Sequence, residues 1–225
     1  MKTLTAALCG LAVSTSLGAQ TLINGAGATF PYPIYSKWFS EYNKLHPEIL
    51  INYQPIGSGG GIRQLAFGTV DFGASDQPMT DAQLAKARIK PLHFPTVLGA
   101  IVVTYNVPEV KGELKLTPEA LAGVFLGKIR KWNDPELARA NPELKLPAAD
   151  IVVVHRSDGS GTTYVWTDYL AKTNAEWKSR VGSGTAINWP TGLGAKGNDG
   201  VAGLVKQTPY SIGYVELTYA IQNRM

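Results

Sequence analysis

The 225-residue chain has a single cysteine and only three histidines. Cys9 lies in an apolar stretch near the N-terminus, so the rest of the chain has no cysteine for a disulfide, a thiol nucleophile or a cysteine-ligated metal site. The histidines are too far apart in sequence to show metal-ligand spacing: they are His46, His93 and His155. We therefore expect no metal and no cofactor.

The sequence also lacks an apolar run long enough to span a bilayer, which needs about 20 residues. The stretch from Leu4 to Leu17 follows Met1-Lys2 and precedes Gly18-Ala19. This order of charged, apolar and small residues is typical of a secretory signal peptide. We expect residues 1–19 to be a signal peptide and the remaining chain to be exported to the periplasm.

Charge is sparse, since 17% of the residues are charged and the formal net charge is +4. This net charge is small for a nucleic-acid-binding domain, and the Lys and Arg residues are mostly scattered. The one basic patch, residues 128–132, is more typical of a solvated turn. We predict no nucleic-acid partner, although a mildly positive surface favours the approach of small anions.

The chain does have a turn suited to an anion, Arg156-Ser-Asp-Gly-Ser-Gly-Thr162. The β-branched run at 151–154 predicts a buried strand before it. Val165, Trp166, Tyr169 and Leu170 predict one apolar face of a helix after it. The unpaired N–H groups at a helix start favour an oxyanion, and Arg156, Ser160 and Thr162 add donors. Alternatively, Ser160 or Thr162 only caps the helix while Arg156 and Asp158 form a surface ion pair.

Three more turns end predicted strands or begin predicted helices. Thr29 precedes Pro31 and a helix with the apolar positions 34, 35, 38, 39 and 42. Ser58 lies in a glycine-rich turn between a strand at 49–56 and another helix. Asp76 is the carboxylate that ends a short strand predicted at 70–76, and Thr80 and Gln83 form a capping box before the next helix. Ligands of open α/β sheets bind at such strand ends.

Strand-like and helix-like runs alternate, so the predicted class is α/β. The apolar run at 97–103 predicts a strand that passes between two lobes, which places the Thr29, Ser58 and Asp76 turns on one side and the Arg156 turn on the other. We therefore predict a first lobe at residues 20–97, a second lobe at 98–225 and a ligand cleft between them.

Two motifs that could indicate an enzyme are weak. Gly192-x-Gly194-x-x-Gly197 matches a dinucleotide fingerprint in letters, but no buried strand is predicted before it, so we interpret it as a loop that ends with Asn198 or Asp199 capping a helix. Neither Ser58 nor Ser160 lies in a Gly-x-Ser-x-Gly elbow, and His155 has no recognisable triad partner. We predict a binding protein rather than an enzyme.

Four motifs together resemble the periplasmic phosphate-binding proteins of ABC-type phosphate uptake. They are GAGATFP at 25–31, GSGGG at 57–61, DFGASD at 71–76 and RSDGSGT at 156–162, supported by KGNDGV at 196–201 and IGYVE at 212–216. The resemblance implies a fold like the type II periplasmic binding proteins, a monomer, and a membrane-embedded ABC permease as partner. It also implies that inorganic phosphate is held by Thr29, Phe30, Ser58, Asp76, Arg156, Ser160, Gly161 and Thr162, with Asp158 bracing Arg156.

Members of that family continue beyond the point where this sequence stops, so the resemblance implies a C-terminally truncated chain whose first lobe is incomplete. Two other functions stay open from the residues alone. One is a phosphate-ester hydrolase, and the other is a surface or adhesion protein that uses the same anion site.

Overall fold

A computed structural model describes residues 20–225, so the predicted signal peptide at 1–19 lies outside the described residues. The N-terminal part forms a parallel three-stranded sheet in the order β2-β1-β3. We call this sheet and its helices the first lobe. Its elements are β1 (Thr21–Gly27), α1 (Tyr32–Leu45), β2 (Ile49–Gln54), α2 (Ser58–Phe67), β3 (Phe72–Ala74) and α3 (Asp81–Leu84).

The remaining strands form a four-stranded sheet in the order β4-β7-β5-β6. Strand β4 runs antiparallel to β7, and the other pairs are parallel. We call this sheet and its helices the second lobe. Its elements are β4 (Ile101–Asn106), α4 (Pro118–Phe125), α5 (Pro135–Ala140), β5 (Val152–Arg156), α6 (Gly161–Thr173), α7 (Ala175–Arg180), β6 (Leu193–Ala195), α8 (Gly197–Gln207), β7 (Ser211–Glu216) and α9 (Leu217–Asn223).

Local sequence signals explain where several helices begin. Thr117, Asp134 and Ser160 cap α4, α5 and α6 through their side-chain oxygens, and a proline follows the first two caps. The predicted capping box before α3 is present, since the Thr80 and Gln83 side chains each accept from the other's backbone N–H.

The cores of the two lobes differ in size. A large cluster in the second lobe buries Trp132, Trp177 and Tyr214 completely, together with Phe125 and Leu170. A smaller cluster packs α8 and α9 onto the other face of the same sheet. The first lobe has one cluster, whose buried members are Ala28, Tyr35, Tyr53 and Ala74.

The strand and helix on either side of the 156–162 turn are confirmed. Strand β5 occupies 152–156 and α6 begins at Gly161. The predicted apolar face of α6 is only half right, because Trp166 and Leu170 are buried while Val165 and Tyr169 are 38% and 40% exposed. The latter pair lies on the outer edge of the helix.

Two segments differ from the sequence predictions. The strand expected at 97–103 begins only at Ile101, because Val97 instead packs on the first-lobe cluster and Leu98 is exposed. The loop expected at 192–197 contains β6, which pairs with β5, so that interpretation was wrong. The lobe boundaries at 20–97 and 98–225 stay a prediction. Within residues 20–225, none of the helices combines the length and apolar character that crossing a membrane requires.

Candidate functional site

The turn between β5 and α6 places Ser160 at the cap of α6. Its Oγ accepts from the backbone N–H of Thr163 at 3.0 Å, and the residue is completely buried. Capping is thus one role of Ser160, as the alternative interpretation held. A hydroxyl that accepts in this way still has its own hydrogen to donate. The cap therefore leaves the hydroxyl hydrogen of Ser160 available at the start of α6.

Arg156 and Asp158 form a buried ion pair rather than a surface one. Nε of Arg156 donates to Oδ1 of Asp158 at 2.7 Å and Nη2 donates to Oδ2 at 2.5 Å, while the Arg156 side chain is only 1% exposed. Asp158 Oδ1 also accepts from the backbone N–H of Gly197 at 3.1 Å. This bidentate contact fixes the plane of the guanidinium and directs Nη1 toward Thr162, whose Oγ1 lies 3.5 Å away.

The surroundings of this pair stabilise the ionised form of Asp158. Burial alone would raise the pKa of Asp158, but the hydrogen bonds and the charge of Arg156 outweigh it and hold that pKa below its ordinary value. Asp158 is therefore an anion at neutral pH. It offsets part of the positive charge that Arg156 brings into the site.

The first lobe contributes Ser58 and Asp76 to the same place. Ser58 is the first residue of α2, and its Oγ accepts from the backbone N–H of Gly161 at 3.0 Å and donates to Asp76 Oδ1 at 3.1 Å. A methyl group on Gly161 would lie 2.1 Å from Asp76 Oδ1. The carboxylate therefore lies directly over the start of α6, where only a glycine fits.

Asp76 has an unusual acidity for an aspartate. Removal from water raises its pKa to about 6, the charge of Glu216 adds to the rise, and the Ser58 hydrogen bond and the charge of Arg156 partly oppose it. At pH 7 the carboxylate is mainly ionised. It is then the acceptor of the site, whereas the surrounding hydroxyls, amides and guanidinium are donors.

Thr29 lies after the end of β1, and it too faces the second lobe. Its side chain is buried, its Oγ1 accepts from Asn198 Nδ2 at 2.8 Å, and its carbonyl accepts from the Tyr219 hydroxyl at 2.7 Å. Phe30 follows it and packs on the first-lobe cluster. Phe30 thus places its backbone at the junction of the lobes while its ring is held in the first.

Two glycine loops bring the lobes into direct contact. The backbone N–H of Gly59 donates to the carbonyl of Gly159 at 2.9 Å. Next to it, Gly57 has a φ of 88°, and a methyl group there would lie 2.3 Å from Asp158 Oδ2. Both the left-handed backbone and the close approach require glycine at this position.

All nine residues predicted for the site lie at this junction, in four turns from both lobes. Their contacts run from Asp76 through Ser58 to Gly161, from Asp158 through Arg156 to Thr162, and from Thr29 through Asn198 to Thr162. Their role in holding an anion stays a prediction. His155, which precedes Arg156 in the sequence, stacks on Trp189 with ring centroids 4.6 Å apart and has a structural role.

The comparisons with known proteins identify the family. A family model described as a PBP superfamily domain matches residues 13–225. The chain belongs to this superfamily. Curated relatives include the "Phosphate-binding protein PstS" of Pasteurella multocida, 55% identical over 92% of this chain and 59% of that protein, and that of Haemophilus influenzae, 55% identical over 90% and 60%. The chain thus spans about 60% of the length of these curated relatives.

Solved structures show the same fold at lower identity. An ABC-type phosphate transport receptor from Vibrio cholerae is 23% identical with a TM-score of 0.57, covering 88% of this chain and 72% of that one. A phosphate binding protein from Stenotrophomonas maltophilia is 21% identical with a TM-score of 0.65, covering 87% and 60%. These structures support the predicted α/β fold of periplasmic-binding-protein type.

Sequence reasoning missed the contacts that Asn198 and Glu216 make at this junction. Asn198 was expected only as a possible helix cap, yet it is completely buried and contacts Thr29 and Thr162. Glu216 caps α9, and burial raises its pKa. The stretches 196–201 and 212–216 supported the resemblance, but nothing in their spacing indicated these contacts. Within the described part of the chain, His, Cys, Asp and Glu form no group that could hold a metal ion.

Proposed function

We propose that this chain binds inorganic phosphate in the periplasm and delivers it, chemically unchanged, to a membrane-embedded ABC permease. The observation that supports this most directly is the pairing of buried donors with one buried acceptor. Arg156, Ser160 and Thr162 meet Ser58 and Asp76 at one junction, and the Asp76 carboxylate hydrogen-bonds to Ser58 rather than pairing with a guanidinium. The curated relatives carry the name of a phosphate-binding protein.

The carboxylate gives the site a means to distinguish phosphate from sulfate. Phosphate keeps at least one proton at neutral pH and sulfate keeps none, although the two tetrahedra are nearly the same size. An ionised Asp76 accepts the phosphate proton but faces a bare oxygen of sulfate. A buried acceptor left without a donor costs about 1–3 kcal/mol, and more when it is charged. Selectivity in this proposal therefore comes from repulsion of the wrong anion.

The proposal is tested by isothermal titration of the purified chain with phosphate and, separately, with sulfate. We expect a phosphate affinity that Arg156→Ala weakens by about 100-fold or more, because a charge-assisted pair of hydrogen bonds is lost. Arg156→Lys should recover only part of it, since an ammonium has no planar fork. Arg180→Ala is the matched control, because Arg180 is exposed and paired only with Glu176.

Thermal unfolding must accompany these titrations, because Arg156→Ala leaves Asp158 buried without its partner. Phosphate binding that is absent in the unmodified chain, or equal in the Arg156→Ala and Arg180→Ala variants, contradicts the proposal. Release of p-nitrophenol from p-nitrophenyl phosphate by the purified chain would favour a hydrolase instead.

A further inference from the structure

Asn198 joins the two lobes through its side-chain amide. It is the second residue of α8 and is completely buried. Its Nδ2 donates to Oγ1 of Thr29 in the first lobe at 2.8 Å and to Oγ1 of Thr162 in the second at 3.3 Å. Among residues 20–225, no other side chain hydrogen-bonds to the hydroxyls of both threonines.

These contacts occupy the acceptor side of the Thr29 hydroxyl. A hydroxyl has one hydrogen to donate and two lone pairs that accept. Thr29 Oγ1 accepts from Asn198 Nδ2 at 2.8 Å and from the backbone N–H of Asn198 at 3.4 Å. With both lone pairs used, the Thr29 hydroxyl has only its hydrogen left for another group.

The Thr162 hydroxyl also has its acceptor side occupied. Its Oγ1 accepts from Asn198 Nδ2 at 3.3 Å and from Arg156 Nη1 at 3.5 Å. Both donors are incapable of accepting a hydrogen bond from it. The remaining hydrogen of Thr162 therefore points away from both, as the hydrogen of Thr29 points away from Asn198.

The orientation of the Asn198 amide is itself fixed. Its Oδ1 accepts from the backbone N–H of Glu216, the last residue of β7, at 2.9 Å. A flipped amide would place its NH2 group against this N–H, so that two donors would face one another. The main chain of β7 thus determines which end of the amide faces the threonines.

We propose that Asn198 is a positioning residue that commits the hydroxyl hydrogens of Thr29 and Thr162 to the bound anion. The proposal rests on the proposed function, because it assigns these two hydroxyls to phosphate oxygens as donors. Without the amide, each hydroxyl could turn its hydrogen toward a protein acceptor. The anion would then meet oxygen lone pairs instead of donors.

The test is a comparison of one substitution in three backgrounds, with phosphate affinity measured by isothermal titration. Asn198→Ala should weaken phosphate binding about 10- to 100-fold in the unmodified chain, the range expected for hydrogen bonds to a charged group. Thr162→Ser keeps the hydroxyl, so the same loss is expected there. Thr162→Val has no hydroxyl to orient, so the loss should be smaller by at least about 3-fold.

Asn141→Ala is the matched control for a purely structural effect. Asn141 is also buried, and its amide also makes two donor contacts and one acceptor contact, with Lys115 and Leu137, away from the site. We expect it to lower the unfolding temperature and leave phosphate affinity within about 2-fold. If Asn198→Ala does not fold, Asn198→Ser serves in the same comparison, because its shorter side chain cannot reach both threonines.

An equal loss in the serine and valine backgrounds would overturn the positioning role while leaving phosphate binding intact. A loss from Asn141→Ala as large as that from Asn198→Ala would overturn it as well. If the unmodified chain binds no phosphate, the proposed function fails and this inference fails with it.

Discussion

Both lobes contribute side chains to the site, but they are stabilised very differently. The first lobe supplies Thr29, Ser58 and Asp76 to the junction, and the second supplies Arg156, Asp158, Ser160, Thr162 and Asn198. The second lobe buries several large aromatic side chains completely. In the first lobe, α1 leaves Trp38, Tyr42 and Ile34 substantially exposed.

This difference separates stability from binding chemistry. The second lobe positions its site residues on a large buried core, where we expect a substitution to lower the free energy of unfolding strongly. The first lobe holds its half on a small cluster, helped by contacts across the junction such as Tyr219 to Thr29 and Gly59 to Gly159. We therefore expect substitutions in the core of the second lobe to lower the free energy of unfolding strongly. Substitutions in the first lobe should mainly change binding at the site.

The largest expected effect comes from a matched pair of tryptophans. Trp177→Ala should lower the free energy of unfolding by about 3–5 kcal/mol, because the ring is completely buried and its Nε1 donates to the Gly182 carbonyl at 2.9 Å. Trp38→Ala should cost less than about 1 kcal/mol, since that ring is 45% exposed. Urea unfolding followed by circular dichroism measures both. Equal losses would remove the contrast between the lobes.

The next effect concerns Asp76, whose pKa the first lobe raises to about 6. Because the folded pKa lies above the unfolded one, this group destabilises the fold above pH 6, and the penalty disappears as the pH falls from 6 toward 4. Asp76→Asn should therefore raise the free energy of unfolding at pH 7, by about 3 kcal/mol at most, and change it little at pH 4.

Asp158 should show the opposite dependence in the second lobe. Its pKa is lowered, so its stabilisation is present above the ordinary aspartate pKa and is lost as the pH falls through the lowered value.

Asp150→Asn is the control for Asp76→Asn, because Asp150 is exposed and paired with Lys131. A gain in stability at pH 7 that persists unchanged at pH 4 would contradict the sign given for Asp76.

The same Asp76→Asn variant should lose selectivity between anions. An amide can donate to a bare oxygen, so sulfate no longer meets an unpaired acceptor. We expect the preference for phosphate over sulfate to fall by at least about 100-fold, measured by competition of sulfate against labelled phosphate in equilibrium dialysis. An unchanged preference would contradict the role given to the carboxylate.

The smallest effects come from a matched pair of glycines. Gly161→Ala should cost about 1–3 kcal/mol and weaken phosphate binding, because the new methyl group would collide with Asp76 and Ser58. Gly203→Ala should instead stabilise the chain by about 0.4–1 kcal/mol, since Gly203 is inside α8 and a methyl group there meets nothing within 4 Å. Thermal unfolding and phosphate titration of both variants measure the contrast.

Sequence reasoning succeeded where the signal is local. The β-branched run at 151–154, the Thr80 capping box and the helix starts after short strands each depend on neighbouring residues, and the structure has them. The four turns were predicted to lie together because strands of open α/β sheets end where ligands bind, and the structure brings them to one junction. That they hold a ligand stays a prediction.

It failed where partners are distant in sequence. Strand β6 has only three residues and exists because it pairs with β5, about forty positions earlier, so its own composition predicted a loop. The contacts of Asn198 with Thr29 and with Glu216 join three separate elements. A single asparagine in a glycine-rich turn carries no local sign of such contacts.

The hydrogen bond between the Gly59 N–H and the Gly159 carbonyl sets the distance between the two glycine loops by main chain alone. Peptide groups are identical at every position, so this spacing does not depend on which side chains surround it. In the proposed function, the distance between the loops and the chemical preference for an anion are thereby set by different atoms. A side-chain substitution could therefore change the preference among anions without changing the distance between the loops.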